Sequence, residues 1–442
     1  MGKTFILKRT LALFAALAVS VFGLPLSAAA ESSLPGEGTE SSPFIVSTAD
    51  ELLLLGSYDE VGYVSLAGDI DMSGKESLPY VIKKLTGEFN GNGHKISGLK
   101  LSGAEGTGAY NIAYTGFIGT LSGNISNLTL ENIAVSTEKK NNSVGALAGM
   151  AAAGKSIIEN CIVTGSVDVA ASSNTTTDYI SGAIGIVYGE YTNKADVYIN
   201  NCIFDVNVSA IENDWVAGVV ARAYFNSNIT ISHCAVLDNI KAASSGFAGG
   251  MICQTTSSTN LNIDNSYFAG SMEGNTTKMY SIAYMGTKYC GSLTYGENCF
   301  YISTAPKANS DSLSSTTITG SAEKKTEDEL KNLKLSGFEV KEGEFGGFPV
   351  PTQKSAEGDS AENSISLDAD KNAVITAANS GNVYVVFAEY DASGCLKNCE
   401  IVKESIPKGE KKTITSPQFF KAAAAENIKA LLWSENLVPL AK

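Results

Sequence analysis

The chain has 442 residues, room for two or three domains, and carries 46 Asp and Glu against 32 Lys and Arg. That acidic balance argues against nucleic acid and anionic membrane surfaces as partners, because both need clustered cations. Beyond residue 30 there are one arginine, Arg222, and two histidines, His94 and His233. A Ser-His or Cys-His pair therefore has at most two candidate bases, and a multi-histidine metal site is almost excluded.

In chain order, the first expected element is an export leader over residues 1–30. Met1 to Arg9 is short and basic, Thr10 to Leu26 is apolar, and Ala28-Ala-Ala precedes Glu31. Removing Lys3, Lys8 and Arg9 with it leaves 29 basic side chains against 46 acidic ones, a balance of −17. We expect a secreted or surface-exposed protein with no membrane insertion once the leader is gone. Next, Ser47 or Thr48 can cap a short helix whose first turn holds Asp50 and Glu51. The leucines from Leu52 to Leu55 would cover the first coil of the repeat region.

The central region repeats itself. Six segments carry a polar residue before a small apolar one: Asn127, Asn160, Asn201, His233, Asn265 and Asn298, separated by 33, 41, 32, 32 and 33 residues. Between them recur Gly-Ala-apolar runs such as Val144-Gly-Ala-Leu-Ala-Gly, Ser181-Gly-Ala-Ile-Gly and Val216-Ala-Gly-Val-Val. Each period holds two or three short strands and no typical helix. The pattern predicts an all-β fold, a right-handed parallel β-helix in which one period makes one coil, about 4.8 Å from the next. Stacked coils are expected from about residue 61 to 302, with the Asn-equivalents in one column. The 41-residue period carries an insert, placed near Ser172 to Asp178.

Lys324 to Leu335 reads as a polar helix, and Gly343 to Val350 as the segment that closes a β-helix domain of residues 31–351. Residues 352–363 form a Ser/Gly/acid linker. Residues 364–442 hold six or seven short strands, from Ser364-Ile-Ser-Leu to Ile428-Lys-Ala-Leu-Leu-Trp, and predict an Ig-like β-sandwich.

Gly36-Glu-Gly-Thr-Glu-Ser-Ser-Pro-Phe-Ile-Val, Leu66-Ala-Gly-Asp-Ile-Asp-Met-Ser and Gly87-Glu-Phe-Asn-Gly-Asn-Gly-His-Lys-Ile-Ser-Gly-Leu resemble the opening coils of bacterial surface proteins with GLUG-type repeats. Gly346-Gly-Phe-Pro-Val is similar to that group's closing segment. The resemblance spans roughly residues 36 to 351 and implies a right-handed β-helix with an adhesion or accessory role and no agreed catalytic residues. The tail resembles β-sandwich modules that end secreted bacterial glycan-associated proteins.

No residue is singled out as catalytic or metal-binding, and no cofactor is expected. His94 lies in a turn of the opening coil, and His233 occupies a corner that other repeats fill with Asn. Cys161, Cys202, Cys234 and Cys299 share one repeat position, with Ser266 as a fifth member. Neighbouring coils hold such side chains about 4.8 Å apart, too far for a disulfide, so buried free thiols are expected. Cys395 and Cys399 are too far apart along a strand to bridge. Cys290 with Cys299 is the remaining disulfide candidate.

An acidic-polysaccharide-degrading enzyme is the alternative reading. It would use Arg222 with Asp205, Glu212 or Asp214, or the pair Asp69 and Asp71. A structural spacer is a further alternative. Binding has its own pattern, because Tyr179, Tyr188, Tyr191, Tyr198, Tyr224 and Trp215 crowd the coils around the insert. They form either an internal stack or an exposed platform. The platform reading takes Trp215, Asp214, Tyr188, Tyr191 and Tyr224 as ligand residues, in a monomer that binds an extracellular glycan or surface protein.

Overall fold

A computed structural model describes residues 34–103, 112–138, 142–170, 178–211, 214–256, 258–285, 291–310, 317–353, 364–368, 370–376, 381–390, 396–406, 411–424, 428–434 and 439–441. The expected leader, residues 172–177 of the expected insert, most of the linker, Glu212, Cys290 and Cys395 lie outside the described residues.

Residues 44 to 325 wind into a parallel β-solenoid with three sheets, of ten, twelve and twelve strands. One coil shows the plan. Gly154–Glu159 lies in the first sheet and Ile162–Val169 in the second. Tyr179–Ser181 and Ile184–Tyr188 come next in the third, before the chain returns to the first at Ala195–Asn200. Period-2 alternation decides what faces inward. Ile125, Ile158, Ile199, Ile231 and Ile263 pair coil to coil and are fully buried. Each such side chain stabilises by about 1.5–3 kcal/mol relative to exposure, but only because a neighbouring coil covers it. The ladder runs further than residues 61–302. Phe44–Val46 pairs with Val64–Leu66, and Glu323–Lys325 pairs with Phe300–Ile302.

The expected column of polar residues forms the corner between the first and second sheets. Asn127, Asn160, Asn201, His233, Asn265 and Asn298 all have φ between 43° and 55°. Asn tolerates this left-handed conformation better than other non-glycine residues. Its amide also bonds the next coil. Asn160 Nδ2 donates to Asn127 Oδ1 (3.1 Å), Asn201 Nδ2 to Asn160 Oδ1 (2.7 Å) and Asn298 Nδ2 to Asn265 Oδ1 (2.8 Å). His233 interrupts the ladder, and Asn265 Nδ2 turns instead to Asp264 Oδ2.

Directly after the corner comes the row of thiols. Cys161, Cys202 and Cys234 are free and fully buried, and each donates to the carbonyl two residues back at 3.2 Å. Ser266 repeats the geometry, donating to Asp264 O at 2.7 Å. Cys299 is also a free, buried thiol that points into the coil toward Ile263 O, so it does not serve the expected pairing with Cys290.

In the third sheet four successive coils, from Asn142 to Thr255, bend between two short strands, and the recurring glycines sit at this bend. A Cβ on Gly182 would lie 2.5 Å from Gly218 O, and one on Gly218 would lie 2.3 Å from Gly250 O. Both would also crowd the carboxyl of Asp238 from the coil interior. Asp238 is fully buried; its Oδ1 accepts the Val206 N–H at 2.6 Å, while Oδ2 has no hydrogen-bond partner.

The insert is divided. Ile162 pairs with Ile203, Tyr179 with Trp215 and Ala195 with Ser227, so the coil-to-coil separation falls from 41 residues to 36 and then to 32. Five extra residues thus lie between Val169 and Tyr179, near the expected place. Four more form the turn Gly189–Lys194, where no insert was expected.

At the start, Thr48 caps helix Ala49–Leu54 with a capping box to Glu51, and Leu52 and Leu55 are fully buried. At the other end the helix is shorter than expected, Glu327–Lys331, because Glu323–Lys325 zips onto the last coil as a strand. The segment expected to close the solenoid instead returns along its flank. Pro349–Pro351 pairs antiparallel with Phe338–Val340, Tyr267 Oη donates to Pro349 O at 2.5 Å, and Asn201 Nδ2 donates to Thr352 O at 3.0 Å.

In the C-terminal region, antiparallel sheets of three and four strands enclose Ala373, Ile375, Val385, Phe387 and Phe420. The helix Gln418–Ala422, which was not expected, supplies Phe420; its ring lies 5.1 Å from that of Phe387.

Candidate binding face

The third sheet has an outer face whose composition differs from the interior. Inward positions are aliphatic, such as Val144, Ile180 and Val216, all fully buried. Outward, Ser143, Tyr179, Trp215 and Phe247 form one column, because Ser143 pairs with Tyr179, Tyr179 with Trp215 and Trp215 with Phe247. A second column contains Met150, Ile186, Arg222 and Gln254. A third pairs Tyr188 with Tyr224. These residues form a cluster separate from the main core, around Ala217 and Ala221. The aromatic group is therefore not a filling for the solenoid.

The rings contact one another across coils. Tyr179 and Trp215 lie 5.9 Å apart edge to face, and Trp215 and Phe247 6.1 Å apart. Tyr188 stacks on Tyr224 at 5.4 Å. The row continues through Phe247 on Tyr284 (4.7 Å) and Tyr284 on Tyr280 (5.4 Å). Trp215 opens its strand and is half-buried. Tyr191 is 90% exposed at the tip of the four-residue insertion, with its ring 4.5 Å from that of Phe225. That turn is anchored by Glu190 N donating to Asn193 O and by Asn226 Nδ2 donating to Glu190 O.

Arg222 stands at the centre. Its guanidinium carbon is 4.3 Å from the Tyr224 ring centroid, 4.7 Å from Tyr179 and 5.3 Å from Trp215. One nitrogen, Nη1, donates to Tyr179 Oη. Among the described residues no carboxylate lies within ion-pair distance of it, and Nε has no hydrogen-bond partner. Burial pulls its pKa down, partly offset by electrostatic attraction to the Tyr179 and Tyr224 phenols and by the hydrogen bond to Tyr179. Burial likewise pushes the Tyr179 phenol up against the opposing pull of Arg222. Beyond Trp215, Lys278 Nζ lies 4.8 Å over the Phe247 ring and donates to Ser245 O.

The expected residues are thus placed differently from one another. Trp215, Tyr188 and Tyr224 share the outer face, and Tyr191 stands at its rim. Asp214 is buried, and its Oδ1 accepts the Asp178 N–H of the preceding coil, so this carboxylate is engaged in the coil stack. Tyr198 lies on the first sheet, under Lys155.

The enzyme alternative finds little support in the placement of its acids. Asp205 lies on the second sheet, away from the sheet that carries Arg222. Asp69 Oδ1 takes His94 Nδ1 (3.2 Å) and the Lys95 N–H (3.1 Å), and Asp71 Oδ1 takes the Ser73 N–H (2.9 Å). Those backbone and Ser73 side-chain hydrogen bonds hold the Asp71 carboxyl below its ordinary range. Among the described residues no group of three His, Cys, Asp or Glu side chains is placed to hold a metal ion.

Sequence reasoning treats Arg222 only as a catalytic base and misses Phe247, Tyr280 and Tyr284. One signal is present in the chain: Tyr179, Trp215 and Phe247 each stand three residues before a bend glycine, Gly182, Gly218 and Gly250.

No protein-family model matches the chain. A protein of Evansella cellulosilytica described as a Gly-rich membrane protein is 30% identical over 125 residues, which are 26% of this chain and 14% of that protein's length. Among the described residues no helix is long and apolar enough to cross a membrane. A crystal structure from Bacteroides ovatus, described as an immunoglobulin A1 protease, matches with a TM-score of 0.53 at 20% identity, covering 72% of this chain and 94% of that one. At that identity the likeness speaks for the fold alone, and it agrees with the parallel β-solenoid built above.

Proposed function

We propose that this is an exported, non-catalytic binding protein. Its right-handed β-helix presents the outer aromatic face of the third sheet to an extracellular glycan, and an Ig-like module travels with it as an accessory. The observation that carries the reading is the row from Tyr179 through Trp215 to Phe247, which forms a cluster separate from the solenoid's main core. Tyr179 is buried in this row, while Trp215 and Phe247 keep part of their rings in solvent; apolar surface left there costs solubility, and monomeric proteins keep such patches chiefly for recognition. Sugar rings stack on such faces while neighbouring polar groups take their hydroxyls. The leader-like residues 1–30 and the resemblance to GLUG-type surface proteins support a secreted or cell-surface location.

The test is a glycan array probed with wild-type protein and Trp215→Ala, with reducing-end and unsaturated-product assays alongside. Wild type binds at least one glycan class without releasing product. The variant loses that binding while its melting temperature falls less than that of Phe204→Ala, a fully buried site whose truncation costs about 3–5 kcal/mol. Release of unsaturated sugar, lost in Arg222→Ala, would instead establish the enzyme.

A further inference from the structure

We propose that the glycan is acidic and that Arg222, with Lys278 farther along the face, receives its carboxylates. The inference rests on the binding reading above and adds the chemical class of the ligand.

The placement of the cations is the first support. Several lysines on this acidic chain are tied to carboxylates, as in Lys83–Asp59, Lys84–Glu60, Lys95–Glu131 and Lys412–Glu404, while others, such as Lys155 and Lys341, lie over a ring with no ion pair among the described residues. Among the described residues Arg222 and Lys278 likewise have no ion pair, although the chain has 46 acids to choose from. Both lie over rings of the same outer face. A partly buried guanidinium without a counter-charge carries a desolvation cost that aromatic rings offset only in part. Only one of its five N–H donors is matched by a partner among the described residues. A carboxylate offers a planar acceptor that matches the guanidinium fork.

The surrounding surface narrows the class further. The partly buried rings of Trp215 and Tyr224 provide flat apolar contact of the kind a pyranose uses, and a free anion has no use for them. Two separated cations on one continuous row suit a polymer that carries a carboxylate on successive units better than a single terminal acid. The shared chemistry is a carboxylate-bearing sugar, and its two sources are hexuronate chains and sialic acid.

The experiment is calorimetric titration of the full chain with four probes: tetragalacturonate, its fully methyl-esterified form, 3′-sialyllactose and lactose. Tetragalacturonate should bind about tenfold to a hundredfold more tightly than its ester, as loss of a charge-assisted hydrogen bond implies. Arg222→Gln removes that preference, and Lys278→Gln, at a half-buried side chain, weakens the acid alone. Preference for sialyllactose over lactose, with no binding of either galacturonate, keeps the carboxylate site and assigns it to sialic acid. Equal binding of acid and ester overturns this inference and leaves the glycan-binding reading standing. Failure of all four probes, with neutral glycans binding on the array, overturns the acidic class. Failure on probes and array alike overturns both. The acid–ester comparison uses the wild-type chain, so the outcome does not depend on how well either variant folds.

Discussion

Asn160 is the middle rung of the corner ladder, and replacing it separates two contributions to the coil stack. Its Nδ2 donates to Asn127 and its Oδ1 accepts from Asn201, while its backbone sits at φ 52°. Asn160→Ala removes two amide hydrogen bonds, each worth about 0.5–1.5 kcal/mol. It also holds a Cβ-bearing residue without local bonding in the left-handed region, at about 1–2 kcal/mol. The expected cost is therefore roughly 2–5 kcal/mol. Asn160→Gly loses the same bonds but accepts the corner conformation, and its penalty is the greater freedom of the unfolded chain, about 0.5–1 kcal/mol. Glycine should thus be the milder change by up to about 1.5 kcal/mol. Urea unfolding monitored by circular dichroism, with the slope checked for constancy, gives both numbers. If alanine proves as stable as glycine, the corner is not strained. If both variants match wild type, the ladder contributes nothing to the stack.

The same coils give three further expected outcomes. His233→Asn should restore the broken ladder by linking Asn201 to Asn265, raising stability by about 1–2 kcal/mol in the same urea titration. Asp238→Asn should raise the melting temperature at pH 7 and change little near pH 4. Burial, with a smaller push from Asp205, raises its folded pKa well above the ordinary carboxylate value, so the wild type loses stability as pH climbs through that range and the amide does not. Among the six described cysteines, only exposed Cys399 should react with a thiol reagent in the folded protein, because burial raises the pKa of Cys161 and Cys202 and pushes Cys299 up to about 11; peptide mapping after labelling reads this directly.

The corner is legible in the sequence because its requirement is local: a left-handed residue and then a small buried one, repeated at a period the chain states itself. Thr48 and Glu51 are legible as a cap for the same reason. What stays hidden depends on register between coils. The split of the insert shows only when Tyr188 is paired with Tyr224 and Ala195 with Ser227. Glu323–Lys325 carries a polar sequence that is locally helical in character, yet the open edge of the previous coil draws it into a strand. Arg222 reads as an isolated base because Tyr179 reaches it from the preceding coil, 43 residues away, and Trp215 only across the bend at Gly218, while Tyr224, two residues on, carries no signal by itself. Asp214 reads as a solvent-facing acid beside Trp215, but strand alternation and the preceding coil turn it inward.

Whether the ligand lies on the outer face of the third sheet can be read from Trp215 itself. With Trp433 replaced by phenylalanine, Trp215 becomes the single tryptophan of the chain. Its emission can then be recorded while tetragalacturonate is added. A ligand on that face should give a saturable change whose midpoint agrees with the calorimetric affinity and moves about tenfold to a hundredfold higher in Arg222→Gln. Calorimetric binding with no change in Trp215 emission would place the ligand elsewhere and contradict the assignment.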